Sequence, residues 1–292
     1  NKFKTGKFRD IAAVGDTLYA VDEDGKVWSD KGISWSDPVN TSVPIGKKIV
    51  CIFGAGDCLF AGVLFGNPGN EEYDIYIFDS TPSTAFFKKV PNTAKLMGVG
   101  AIGTNYYIGT MGDGMYLYAN GATPFQISGY LGEEVKNIVS VTVYNSILYS
   151  IHYDLRVRLT KIFSFDETAI TPVASGNFTS ALTGWTNGTE SLLLVGLQRS
   201  SGTFGYGYRE IVLPSSSVQS PRIPGADDPT SVDRNSQYIS AIGKYVVNHL
   251  FVVSESPGDK GGRPIIFAST AQNGLWSYRI RTGDEKPQWN GE

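Results

Sequence analysis

Ile11-Ala12-Ala13-Val14-Gly15-Asp16-Thr17-Leu18-Tyr19-Ala20 is a short apolar run, a Gly-Asp pair, and a second apolar run carrying an aromatic. Glycine reaches the positive φ that tight two-residue turns require, so the stretch spells two short antiparallel strands joined by a hairpin. The unit returns at Ile52 to Ala61 (Ile-Phe-Gly-Ala-Gly-Asp-Cys-Leu-Phe-Ala), at Val99 to Gly109 around Gly103-Thr104, and at Val141 to Ser150 around Asn145-Ser146. Looser copies follow at Ser180 to Gly196, with the turn enlarged to Trp185-Thr186-Asn187-Gly188, and at Tyr238 to Val253, opened by Ser240-Ala241-Ile242-Gly243. A second signal trails several copies: Asp24-Gly25-Lys26-Val27-Trp28, Asp113-Gly114-Met115-Tyr116, and Asn273-Gly274-Leu275-Trp276. Asp-Gly and Asn-Gly at that place join a second strand to a third.

Each unit is then an antiparallel meander of three or four strands, and such a sheet cannot cover both of its faces alone. Stacking copies around an axis covers each sheet with its neighbours, and a unit recurring every ~40–50 residues is the mark of that arrangement. The expectation is one all-β domain over residues 1–292, a single β-propeller of six blades, with a seventh possible in residues 235–292. Trp289 is expected to meet the first blade and close the ring.

Composition agrees. Gly (34), Tyr (16) and Phe (15) are abundant, and charged residues make up only 18% of the chain, which favours strands and turns. No stretch sustains the apolar period of a long helix. The longest apolar runs are far shorter than the ~20 residues that cross a bilayer, so no transmembrane segment is expected. Lys plus Arg is 25 against 28 Asp plus Glu, a net charge of −3 without a basic stripe, which argues against nucleic acid as a partner. Cys51 sits well down one strand of its hairpin and Cys58 begins the next, so the two are expected as free thiols. With only His152 and His249 in the chain, no Cys/His zinc cluster can form, and neither metal nor cofactor is expected.

Two segments resemble known propeller repeats. Tyr107-Ile108-Gly109-Thr110-Met111-Gly112-Asp113-Gly114-Met115-Tyr116-Leu117-Tyr118 and Phe267-Ala268-Ser269-Thr270-Ala271-Gln272-Asn273-Gly274-Leu275-Trp276-Ser277-Tyr278 are similar to the sensor propellers of two-component regulators. Asp30-Lys31-Gly32-Ile33-Ser34-Trp35 resembles the Asp-box of sialidase-type propellers, with Trp28 where that box carries Ser or Thr. An Asp-box caps a hairpin and is not catalytic, and the chain's arginines match no arrangement of the sialidase site. Asn273-Gly274-Leu275-Trp276-Ser277-Tyr278 with Trp289-Asn290 resembles the C-termini of bacterial, spirochaete-like surface lipoproteins. That likeness implies an extracytoplasmic, envelope-associated protein, held through a removed N-terminal signal or lipid anchor.

Signs of chemistry are sparse. Gly98-Val99-Gly100-Ala101-Ile102-Gly103 fits a phosphate-loop pattern on paper, but it spans a strand and a turn with no helix to follow. A Ser/His/Asp triad would need His152 or His249, and His249, between Val247 and Leu250, reads as a core imidazole. Glu71, Glu72, Glu133, Glu134, Glu190 and Glu210 are the carboxylates open to glycoside chemistry. Asp22-Glu23-Asp24-Gly25 reads as a hairpin turn in preference to a calcium loop.

Binding residues gather on loops held by a rigid scaffold. Three insertions qualify: Gly66 to Tyr76, Ser200 to Arg209, and Ser215 to Asp233. The second carries the candidate ligand-binding residues Phe204, Tyr206, Tyr208 and Arg209, since aromatics give contact area and arginine gives directed hydrogen bonds. The alternative for that stretch is a hairpin whose tyrosines pack on the next sheet. The functional expectation is a monomeric, non-catalytic ligand-binding or scaffold propeller whose partner is a protein or a glycan. A glycan-active, sialidase-like hydrolase and the sensor module of a larger receptor are the alternatives.

Overall fold

A computed structural model describes residues 8–30, 43–78, 87–90, 94–119, 122–186, 191–197, 208–213, 246–253, 265–270, 274–279 and 290–291. Within these, two compact units are distinguished, Asn1–Val141 and Thr142–Glu292.

The first unit holds three sheets whose strands follow one another in chain order. They are β1 (Phe8–Val14), β2 (Thr17–Asp22) and β3 (Val27–Asp30); β4 (Lys48–Ala55), β5 (Cys58–Asn67), β6 (Asn70–Phe78) and β7 (Phe87–Val90); and β8 (Lys95–Ile102), β9 (Asn105–Met111), β10 (Gly114–Ala119) and β11 (Phe125–Gln126). A 3-10 turn at Ser128–Tyr130 follows. β12 (Ile138–Tyr144) spans the division. The second unit continues with β13 (Ile147–Asp154), β14 (Leu159–Phe165) and β15 (Ile170–Gly176); then β16 (Phe178–Thr186), β17 (Ser191–Leu197) and β18 (Tyr208–Val212); then β19 (Val247–Val253), β20 (Ile265–Thr270), β21 (Gly274–Arg279) and β22 (Asn290–Gly291).

The first five sequence copies are the leading hairpins of five of these sheets. Their turns carry the expected backbone: Gly15, Gly56, Gly103 and Asn145 take φ of 55°, 52°, 58° and 50° at the first turn position. The enlarged turn of the fifth copy is corrected in part, because Trp185 lies within β16 opposite Leu192 and is buried. In the sixth copy, residues 238–245 lie outside the described set, as do residues 31–35 of the Asp-box likeness and Trp289. β22 pairs with β21, Trp276 opposite Gly291, so the chain's last strand belongs to its own sheet.

Burial explains why β5 reads as an unbroken apolar run. Leu59, Ala61 and Val63 join Tyr19, Val21, Ile49 and Ile52 in one core cluster, while Cys58 and Phe60 join Ile77, Val99, Ile108 and Tyr118 in another. Alternate side chains on one strand thus feed two cores, and each buried aliphatic contributes roughly 1.5–3 kcal/mol. Close approach of leading strands sets a further requirement, since a Cβ on Gly54 would stand 1.9 Å from the carbonyl oxygen of Ala13. Asp10 ties the same two strands by accepting a hydrogen bond from the Ile52 amide at 2.9 Å.

Both cysteines are free, as expected. Cys58 pairs across the hairpin with Ala55 and Cys51 with Gly62, so neither faces the other. Burial pushes the Cys51 thiol up to about 12, and its sulfur lies 3.7 Å from the Leu96 carbonyl oxygen.

Candidate functional site

The proposed ligand-binding set divides. Phe204 and Tyr206 lie outside the described residues, as does the whole of Ser215 to Asp233. Tyr208 opens β18 with 2% of its surface exposed, in a core cluster with Trp185, Leu194, Val212 and Val247. Its ring is part of the sheet packing, which is the alternative weighed for this stretch. Arg209, opposite Val195, is half-buried on the other side of the strand.

Gly66 to Tyr76, read as an insertion loop, is regular strand. β5 and β6 pair without interruption from Leu59 opposite Phe78 to Asn67 opposite Asn70, and turn at Pro68-Gly69, where Gly69 has φ 92°. Pairing of β4 to β5 ends at Lys48 opposite Leu64, and pairing of β6 to β7 ends at Val90 opposite Ile75. Among the described residues, the ribbon beyond those pairs, 65–67 with 70–74, is therefore two strands wide. It is braced at its base. The fully buried Asp74 carboxylate is salt-bridged to the Lys47 ammonium, which also lies 4.1 Å from the centre of the Phe65 ring. The hydrogen bond that Lys47 donates to Asp74 is the main reason that Lys47 titrates above the ordinary lysine range. Further out, Tyr73 donates to Glu71 at 3.1 Å, and Glu71 and Glu72 are exposed.

The second unit carries a polar column that the sequence marked only through His152. Leu148, Ser150, His152 and Asp154 alternate onto one face of β13. Ser150 Oγ lies 2.7 Å from His152 Nε2, and the imidazole meets Phe163 edge-on at 5.1 Å between centroids. Ser150, His152 and Asp154 each have 0% exposure, so the Ser-His pair is enclosed in the packing. Its role is to satisfy polar groups inside the sheet.

Asp154 anchors the hairpin that ends this column. Its carboxylate accepts from Arg156 Nε at 3.0 Å, Arg156 Nη2 at 2.9 Å and the Arg156 amide at 3.1 Å, and it pairs with Lys161 at 3.1 Å. These donors, the Arg156 guanidinium first, hold its carboxyl well below the usual carboxylate range. The turn itself, Leu155 to Arg158, is closed by the Arg158 amide donating to the Asp154 carbonyl at 2.8 Å, and Arg158 takes φ 55°. Leu155, Val157 and Leu159 are 59%, 54% and 36% exposed.

Other candidates resolve as scaffold. Asp22 accepts from the Asp24 and Lys26 amides at 3.0 and 2.9 Å and from Trp28 Nε1 at 2.9 Å, so its oxygens build the turn. Residues 98–103 lie in β8 and its turn, as expected. His249 is a correction. It is exposed on β19 opposite Ser269, on the side shared with Phe251, because a register shift between Val247 and His249 breaks the alternation, so that Val247 and Leu250 are both buried while His249 is turned out. Glu133 and Glu134 are exposed, Glu210 is half-buried, and Glu190 lies outside the described residues. Among the described residues no helix is long and apolar enough to cross a membrane.

No protein-family model and no curated protein matches the chain. Solved structures do match it. A chain of the mitotic checkpoint complex aligns with TM-score 0.59 at 14% identity, over 93% of this chain and 75% of that one. The GH74 xyloglucanase of Xanthomonas campestris aligns with TM-score 0.58 at 12% identity, over 97% of this chain and 45% of the enzyme, so the chain spans less than half of the xyloglucanase. The WD40 β-propeller domain of Doa1 aligns with TM-score 0.50 at 9% identity, over 96% and 95%. Successive antiparallel sheets of three and four strands, with these likenesses, define the class: the chain is an all-β protein of the β-propeller fold.

Proposed function

We propose that this propeller is a non-catalytic binding or scaffold protein, exported and held at the cell envelope, whose partner is another protein. The observation that carries the reading is the braced ribbon at residues 65–74. A two-stranded ribbon standing past its neighbours offers main-chain donors and acceptors along both edges, which is the chemistry of strand addition. Asn67, Asn70, Glu71 and Glu72 supply exposed polar groups around its end, and the Lys47–Asp74 pair under Phe65 fixes its direction. A rigid presenting element loses little conformational freedom when it binds. The fold itself accommodates both assembly and hydrolysis, as a checkpoint-complex chain and a xyloglucanase share it. The envelope placement rests on the lipoprotein likeness of residues 273–278 and 289–290, and cell fractionation tests it.

Function is tested by screening the purified protein on arrays of extracellular proteins and of glycans, with thermal shift to show that a hit stabilises the fold. The ribbon is then shortened by replacing residues 66–71 with Asn-Gly, which rejoins Phe65 to Glu72 in register. The expected result is a protein hit that disappears in the shortened variant while its melting temperature is kept. Hits confined to glycans, or a protein hit indifferent to the ribbon, would overturn the reading.

A further inference from the structure

The hairpin between β13 and β14 has an unusual end. Tight connections between strands are normally built from Gly, Asn, Asp, Ser or Pro, whose backbone or side chain makes the turn. Here the turn reads Leu155-Arg156-Val157-Arg158, with Leu159 beginning the next strand, and holds none of those residues. Leu155 and Val157 are more than half exposed and Leu159 is 36% exposed, and Arg158 keeps a positive φ that bulky residues seldom adopt. Nothing in the turn's own chemistry calls for aliphatic residues there, whereas the anchoring below it is thorough. Asp154, without exposed surface, holds Arg156 through three hydrogen bonds and Lys161 through a fourth contact.

We propose that this tip docks on an anionic lipid surface, with Leu155, Val157 and Leu159 entering the boundary between headgroups and acyl chains and the neighbouring cations meeting lipid phosphates. Two features favour a lipid surface. The aliphatic groups are few and lie on a short hairpin turn, with Leu155 and Val157 more than half exposed, a size and placement that suit shallow entry into a fluid interface. The local charge is also opposite to that of the chain. Arg156 and Lys161 pair with Asp154, and with Arg158 residues 154–161 carry three cations against that one carboxylate, leaving two positive charges at the tip of a chain whose net charge is −3. Such a pole is drawn toward anionic headgroups while the remainder is not, which orients the protein on approach. Arginine suits the role because its planar fork binds phosphate through two donors at once. The prior fixing of the turn means that docking orders little that is not already ordered.

The experiment is flotation of the 292-residue chain with vesicles of phosphatidylcholine alone and of phosphatidylcholine with phosphatidylglycerol, at low and high salt. Two variants accompany it. Leu155→Ser with Val157→Ser removes apolar surface, and Arg158→Asn removes charge while placing at the positive φ a residue that tolerates it. Binding to the anionic vesicles is expected, weakened by salt, falling about tenfold or more in the double variant and by several-fold in Arg158→Asn, with melting temperatures unchanged. Equal binding by wild type and variants, or no binding to either vesicle, overturns the proposal. So does capture of a soluble protein partner that depends on Leu155 and Val157 when vesicles are not bound.

Discussion

Replacing Asp154 with Asn keeps the shape of the side chain and removes its charge. In the native protein the carboxylate accepts three hydrogen bonds from Arg156 and pairs with Lys161, all between 2.9 and 3.1 Å. Asparagine keeps one acceptor and turns the other toward the cations as a donor. Hydrogen bonds to a charged group contribute roughly 1.5–3 kcal/mol each, but Arg156 is more than half exposed, so solvent screening reduces its share. Burying a neutral amide is also easier than burying a carboxylate, which offsets part of the loss. The net expectation is a destabilisation of about 2–3 kcal/mol, or roughly 3–5 °C in melting temperature for a chain of this size. The sign of the pH dependence follows from the direction of the shift. Because Arg156 holds the folded carboxyl below its ordinary value, the stabilisation is complete above the unfolded pKa near ~3.9 and is lost as pH falls toward the folded value. Urea unfolding followed by tryptophan fluorescence should therefore show the full gap between wild type and Asp154→Asn at neutral pH, and a shrinking gap below about pH 4. A variant as stable as wild type at neutral pH would refute the anchoring role. A gap that stays constant into acid would refute its electrostatic origin.

Gly184→Ala should cost at least about 2 kcal/mol, since its Cβ would lie 2.2 Å from Cγ of Tyr144, and Tyr144→Ala in the same chain should recover part of that loss in denaturant melts. Lys47→Met should destabilise by roughly 3 kcal/mol by leaving the buried Asp74 carboxylate without its ammonium. Because Lys47 titrates above its ordinary value in the folded state, that gap should persist through neutral pH and narrow only as pH rises past the lysine range. Neither thiol should react with a disulfide reagent in the native protein near pH 8, and two should react after unfolding. Early labelling at Cys51 would contradict the burial that pushes its thiol up to about 12.

What could be read from the chain was local. Gly15, Gly56, Gly103 and Asn145 announce their hairpins because positive φ is a property of a residue and its immediate backbone, and those turns stand where the pattern puts them. Tyr208 and His249 are harder to place for the opposite reason. Which of a strand's two faces is covered depends on register and on the sheet packed against it. Tyr208 faces Trp185 and Val247, while His249 turns outward beside Phe251, and no neighbour in sequence distinguishes the two.

The two surface elements that matter most were obscured by composition. The Gly, Asn and Glu content of residues 66–72 imitates a loop, yet Gly66 and Gly69 are the residues that let β5 and β6 run on as a ribbon, for a Cβ on Gly66 would stand 2.5 Å from the Asn70 carbonyl oxygen. At residues 155–158 composition acts the other way, since Leu-Arg-Val-Arg imitates strand and conceals a turn. A signal was available. Asp154 marks where an apolar strand stops, and Leu159 to Phe165 resumes the alternation after a gap of four residues, too soon for anything but a hairpin. A turn made of residues poor at turning needs support from elsewhere, which Asp154 supplies through Arg156. Support of that kind at an exposed tip implies that its aliphatic residues are kept for something outside the fold, and the vesicle experiment asks what that is.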